Sequence, residues 1–123
     1  MLVDKVYTKR CRRYNIAGDA HELTFSCYNN RPFLRAERVC KYLIDSIMSS
    51  REKHQFDLWA YVFMPNHVHL LICPRNAKYS ISDILLSIKQ TVSRRGIDYL
   101  KDNNPDGLKQ LATSQVRRPY RFW

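Results

Sequence analysis

Residues 67–74 read HVHLLICP, directly behind the turn sequence Met64-Pro65-Asn66. A short run rich in aliphatic residues, bounded by prolines, predicts a strand. Along a strand, residues two apart point to the same side. Val68 and Leu70 then lie on one face and His67 and His69 on the other. The strand rise sets the two histidine Cβ atoms about 6.5–7 Å apart. One face of this strand therefore asks for a core, and the other carries two side chains that are costly to bury.

The segments around it supply that core. HQFDLWAYVF (54–63) has strand character and is close enough to form a hairpin across the proline turn. Trp59, Tyr61 and Phe63 alternate there with Leu58, Ala60 and Val62, so both of its faces are expected to be largely covered. HELTFSCY (21–28) predicts an earlier strand, ended by NNRP (29–32). Between them, residues 35–51 predict an amphipathic helix with the stripe Val39, Leu43, Ile44, Ile47 and Met48. A second helix, capped by Ser80 or Ser82, carries Ile81, Ile84, Leu85, Ile88 and Val92 and runs on towards Tyr99. NNPDG (103–107) breaks it, GLKQLA predicts a short helical turn, and VRRPYRFW (116–123) predicts a last strand that Pro119 confines to an edge.

The order strand, helix, strand, strand, helix, strand is that of the α+β ferredoxin-like split βαβ sandwich. It predicts an antiparallel sheet with two long helices on one face and the other face open. The 123 residues suit one domain, and a hydrophobic fraction of 45% argues against disorder. No stretch approaches the roughly 20 apolar residues of a membrane span, and MLVDKVYTKRCRRYN lacks the apolar block of a signal peptide. A cytoplasmic location is expected. Cys11, Cys27, Cys40 and Cys73 show no zinc-finger spacing. There they are expected to stay reduced, with Cys27 and Cys73 in the core.

Charge narrows the partner. Lys and Arg number 21 against 11 Asp and Glu, a net charge of +10 that favours a polyanion, most simply nucleic acid. Three basic clusters stand out: KRCRRY (9–14), with Arg10, Arg12 and Arg13; SRR (93–95), with Arg94 and Arg95; and VRRPYRFW, with Arg117, Arg118, Tyr120 and Arg121. Cations interleaved with rings suit single-stranded nucleic acid, in which phosphates are tracked and bases stacked. The first and last clusters fit that pattern best.

Two imidazoles sharing a strand face can converge on one ion. Their nitrogens suit transition metals and accept Mn²⁺ or Mg²⁺ when oxygen ligands complete the shell. An ion there would polarise a phosphate oxygen. A third ligand is required, for which Asp83, Gln90 and Asp98 are candidates.

MPNHVHLLI (64–72) closely resembles the HUH motif (His, hydrophobic, His) of the single-strand DNA tyrosine transposases, which comprise insertion-sequence transposases and REP-associated tyrosine transposases. Residues 12–34 resemble the family's first-strand segment, 85–111 resemble a helix of one REP-associated branch, and RFW (121–123) resembles the start of the next strand. The resemblance implies a ferredoxin-like fold and a metal-dependent DNA transposase or single-strand endonuclease. A tyrosine hydroxyl attacks single-stranded DNA, a 5′-phosphotyrosine forms and a 3′-hydroxyl leaves. His67 and His69 are then catalytic residues and ligands of a divalent metal, Mg or Mn. Single-stranded or hairpin DNA is the implied partner, and a homodimer is compatible with the family.

In the family the nucleophile lies on a helix beyond that next strand. Residues 1–123 are therefore expected to be one HUH domain that is C-terminally incomplete, with its activity open. Tyr61 and Tyr99 read as packing residues and Tyr120 as an edge residue, so none is assigned as nucleophile. Two other readings stay open: a non-catalytic single-stranded nucleic-acid-binding module, and a metal-dependent RNA-processing protein.

Overall fold

The computed structural model describes residues 18–123. Strand β1 (His21–Ser26) leads through two 3₁₀ turns into helix α1 (Glu37–His54). Strands β2 (Phe56–Phe63) and β3 (His67–Pro74) form a hairpin, followed by helix α2 (Ile81–Asn103) and the short helix α3 (Pro105–Leu108). The sheet order is β1-β3-β2, with both pairings antiparallel. This is the expected α+β split βαβ arrangement, with β3, the strand that carries both His67 and His69, at its centre.

Local chemistry explains the helix limits. The acidic Glu37 opens α1, and Arg51, Lys53 and His54 close it, each matching the helix dipole. Gln55 then turns left-handed (φ 56°) and returns its N–H to the Arg51 carbonyl. Ser80, rather than Ser82, caps α2 by accepting from the Asp83 N–H at 3.2 Å. Asn104 caps α3, which begins at Pro105, where a missing N–H is harmless.

The core lies on one side of the sheet only. Leu23 and Phe25 of β1, with Val68, Leu70 and Ile72 of β3, meet Val39, Leu43 and Ile47 of α1 and Ile84, Ile88 and Val92 of α2. The helices approach closely because Ser46 and Ser50 are small. The Ser46 hydroxyl donates to the Ile88 carbonyl at 2.7 Å, and the Ser50 hydroxyl bonds that of Ser87 at 2.6 Å. Both serines are buried and both are satisfied. Burial also pushes the Cys27 thiol up to about 11, so it packs as a neutral apolar group at neutral pH.

Several sequence expectations are corrected. Ile44 and Met48 belong to the predicted α1 stripe but are 44% and 42% exposed, because the buried arc is narrower than the stripe. Cys73 is half-buried on the open face, as the strand alternation with Ile72 requires. β2 is an edge strand, and Trp59, Tyr61 and Val62 are exposed on it, so its faces are not both covered. A bulge between Leu58 and Ala60 leaves Trp59 without a partner and shifts the phase of the strand. Leu58, Tyr61 and Phe63 therefore face the helix side, opposite Ile72, Leu70 and Val68. No fourth strand forms among the described residues. Pro119 lacks a donor, Arg121 N–H turns back to the Leu111 carbonyl, and only the bridge Ala112–Tyr120 is present. The segment instead hooks inward at Phe122, whose carbonyl accepts from Tyr28 N–H at 2.8 Å and whose buried ring lies over Gly96.

The difference between Leu43 and Ile44 is directly measurable. Leu43→Ala should lower stability by about 2–5 kcal/mol, and Ile44→Ala should stay within about 0.5 kcal/mol, read from urea midpoints at constant slope. Equal losses from the two would contradict this core.

Candidate functional site

His67 and His69 project from β3 on the face opposite the helices, and no described element covers them. Their cross-strand neighbours are Ser26 and Thr24 on β1, with Val62 on β2 beside His69. The ring centroids are 4.8 Å apart, with planes at 80°. The hairpin turn beneath them is fastened on two sides: Leu34 N–H donates to the Pro65 carbonyl and Cys27 N–H to that of Asn66, at 3.0 and 2.9 Å.

Each ring is held by its Nδ1. The His67 Nδ1 lies 2.7 Å from the Asn66 side-chain oxygen, an acceptor, so Nδ1 carries the proton and donates. The His69 Nδ1 lies 3.1 Å from the Thr24 hydroxyl and 3.6 Å from the Glu22 carboxylate. The carboxylate also favours a proton on Nδ1. Glu22 is 72% exposed, so this pair orients the ring more than it stabilises the fold. Both Nε2 lone pairs are thereby left to accept an ion, which is how metal-ligating histidines are usually oriented. Asn66, Thr24 and Glu22 were not singled out in the sequence. Asn66 adjoins the motif, but Thr24 and Glu22 reach it only through the long-range β1–β3 register.

Among the described residues no three His, Cys, Asp or Glu side chains converge on one point. The candidate third ligands fail on position. Asp83, Gln90 and Asp98 all lie on α2, on the far side of the sheet. The candidate tyrosines are also engaged elsewhere. Tyr61 is exposed at the β2 edge and leans on Phe63, on the helix side of the sheet. Tyr99 packs under the Arg38 guanidinium (3.4 Å to the ring centre), a contact between helices rather than with the sheet. Tyr120 neighbours Lys101.

The basic residues divide. Arg94, Arg118, Tyr120 and Arg121 come together, with Lys89 and Trp123, around a groove of about 560 Å³ beside α2. Trp123 is anchored there by its indole N–H on the Lys89 carbonyl and by its edge contact with Phe25. Arg95 is turned away, paired with Asp45 at 3.1 Å and stacked over Tyr42 on α1. Arg117 is exposed and does not line the groove. Arg10, Arg12 and Arg13 lie outside the described residues.

This geometry makes a spectroscopic prediction. Ring-nitrogen NMR of the neutral imidazole should find His67 with its proton on Nδ1 rather than Nε2, and Asn66→Ala should shift that balance towards Nε2–H. Finding the Nε2–H form in the unaltered protein would contradict the assigned orientation.

Among the described residues, no helix is long and apolar enough to cross a membrane. The family model described as "Transposase IS200 like" matches residues 20–112. Two solved structures share the fold. One is a REP-associated tyrosine transposase bound to a REP hairpin, with a TM-score of 0.64 and 22% identity; 72% of this chain and 53% of that one are covered. The other is a Deinococcus radiodurans R1 protein assigned as a transposase, with a TM-score of 0.58 and 22% identity; 80% of this chain and 75% of that one are covered. This chain thus spans about half the length of the first. No curated protein matches it in sequence.

Proposed function

We propose that this chain, which belongs to the IS200-like transposase family, cleaves and rejoins single-stranded DNA with a divalent ion held by His67 and His69. The observation that carries the reading is the pair of imidazoles 4.8 Å apart on the uncovered sheet face, each fastened through Nδ1 and each with Nε2 directed away from its anchor. The ion, Mg²⁺ or Mn²⁺, would supply charge to the scissile phosphate. The protein's part is to hold its two nitrogens in place before any ligand arrives. Asn66 and Thr24 do this without moving, because both sit on backbone already locked in the sheet and turn.

The reaction proposed is transesterification. A tyrosine oxygen bonds to phosphorus, the bond from phosphorus to the 3′ oxygen breaks, the phenol loses its proton and the departing oxygen gains one. The resulting 5′-phosphotyrosine keeps the bond available for rejoining. Arg94, Arg118 and Arg121 would neutralise phosphates in their groove, and Tyr120 and Trp123 would stack on bases. Hairpin DNA is the proposed partner, since one structural relative is bound to a REP hairpin.

A second reading is favoured by the tyrosines. Tyr61, Tyr99 and Tyr120 all make their contacts away from the histidines. A module that binds single-stranded nucleic acid and performs no cleavage accounts for this equally well.

Two measurements separate the readings. Mn²⁺ titration should show binding that His67→Ala or His69→Ala weakens by more than about tenfold; identical weak binding in all three proteins would count against the ion site. Incubation with a labelled hairpin-tailed oligonucleotide and Mn²⁺, followed by intact mass, should yield a covalent adduct at a tyrosine. Salt-sensitive binding with no adduct would establish the non-catalytic module instead.

A further inference from the structure

A second cavity, of about 440 Å³, opens between α1 and α2 on the helix side, away from the histidines. Its walls are polar where a seam between helices is ordinarily apolar. Ser49, Lys53 and His54 line it from α1, and Gln90, Thr91 and Arg94 from α2. Its one carboxylate, Asp83, faces two cations, and neither Lys53 nor Arg94 forms an ion pair with a described residue. The His54 Nε2 is buried and has no hydrogen-bond partner among the described residues. A buried polar atom left in that state is costly and asks for a ligand or water.

This cavity is not isolated. Leu86, Gln90 and Arg94 line both it and the groove at Tyr120 and Arg121. These residues lie four apart on α2, on one helix face, and span about 12 Å at 1.5 Å per residue. At the 3.4 Å spacing of a stacked strand, that length matches about four successive phosphates.

We propose that one nucleic-acid strand crosses α2 from the Tyr120–Arg121 groove into the cavity between α1 and α2, with Arg94 shared by both and Lys53 and His54 receiving a backbone phosphate at the far end. This rests on the nucleic-acid reading above and extends it to the last turn of α1, which lies outside the three basic clusters of the sequence analysis. Hydroxyl and amide groups at Ser49, Thr91 and Gln90 suit phosphate oxygens. His54 lines the cavity beside Lys53, and a turn of its ring would bring the buried Nε2 to one of them. A continuous run of phosphates, unlike a single anion, has a use for cations at both ends of the α2 face.

The test compares DNA lengths. Fluorescence anisotropy would measure binding of single-stranded oligonucleotides of about 5 and about 15 nucleotides to the unaltered protein, Lys53→Gln, His54→Gln and Arg121→Gln, with circular dichroism verifying each fold. Lys53→Gln should weaken the long oligonucleotide about fivefold and reduce its salt slope by about 0.7. It should leave the short one, seated in the aromatic groove, within about twofold. His54→Gln should act in the same direction, and Arg121→Gln should weaken both lengths. If Lys53→Gln and His54→Gln leave the long oligonucleotide unchanged while Arg121→Gln weakens both, the strand ends at the groove and the extension is wrong, with the nucleic-acid reading intact. If no variant binds either length differently and binding is insensitive to salt, the nucleic-acid reading itself fails. If inorganic phosphate binds in a Lys53-dependent way and DNA does not, the cavity is a site for a free anion, which also overturns the proposal.

Discussion

The register of β3 governs the molecule. Val68, Leu70 and Ile72 must face the helices for the core to close, and a period of two then commits His67 and His69 to the open side. A slip of one residue would bury two imidazoles and expose three core aliphatics. Because β3 is the central strand, paired on both edges, the core and the candidate site are secured by the same two ladders. Stability and site geometry thus have one origin here.

The second consequence is preorganisation. The turn carrying Asn66 is fastened by backbone bonds from Leu34 and Cys27, and Thr24 is held in β1 directly across from His69. Neither ring depends on a mobile loop for its orientation. Among the described residues, the cations gathered at Lys89, Arg94, Arg118 and Arg121 lie elsewhere, on the helix side around α2 and the hook at Phe122. The sheet therefore separates the candidate ion site from this basic groove. In the proposed function, one face would act on the phosphate and the other would hold the strand.

What the sequence revealed depended on the range of the interaction involved. The alternation of HVHLLICP and the helical spacing of Leu43, Ile47, Ile84 and Ile88 are local patterns, and they led directly to the strand face and both helices. Ile44 and Met48 shared the spacing of the α1 stripe, but only packing decides how wide its buried arc is. At Trp59 a bulge shifts the phase of β2, and the place of β2 at the sheet edge leaves Tyr61 exposed where both strand faces were expected to be covered; neither the bulge nor the edge position is encoded locally. Cys73 was misplaced by its apolar surroundings, although the period of two that sends His67 and His69 to the open face sends Cys73 there as well. Thr24, Glu22 and the split between Arg94 and Arg95 follow from contacts 45 or more residues apart, which no local pattern encodes. VRRPYRFW had strand-forming side chains, but Pro119 and the bond from Arg121 to Leu111 took its backbone elsewhere.

The central claim is that two adjacent imidazoles share one cation on the open face. Pulsed electron paramagnetic resonance of Mn²⁺ bound to protein carrying ¹⁵N-histidine reads this directly. The account predicts modulation from two ring nitrogens, falling to one in either His67→Ala or His69→Ala. Modulation from no histidine nitrogen, or a signal unchanged by both substitutions, would contradict it.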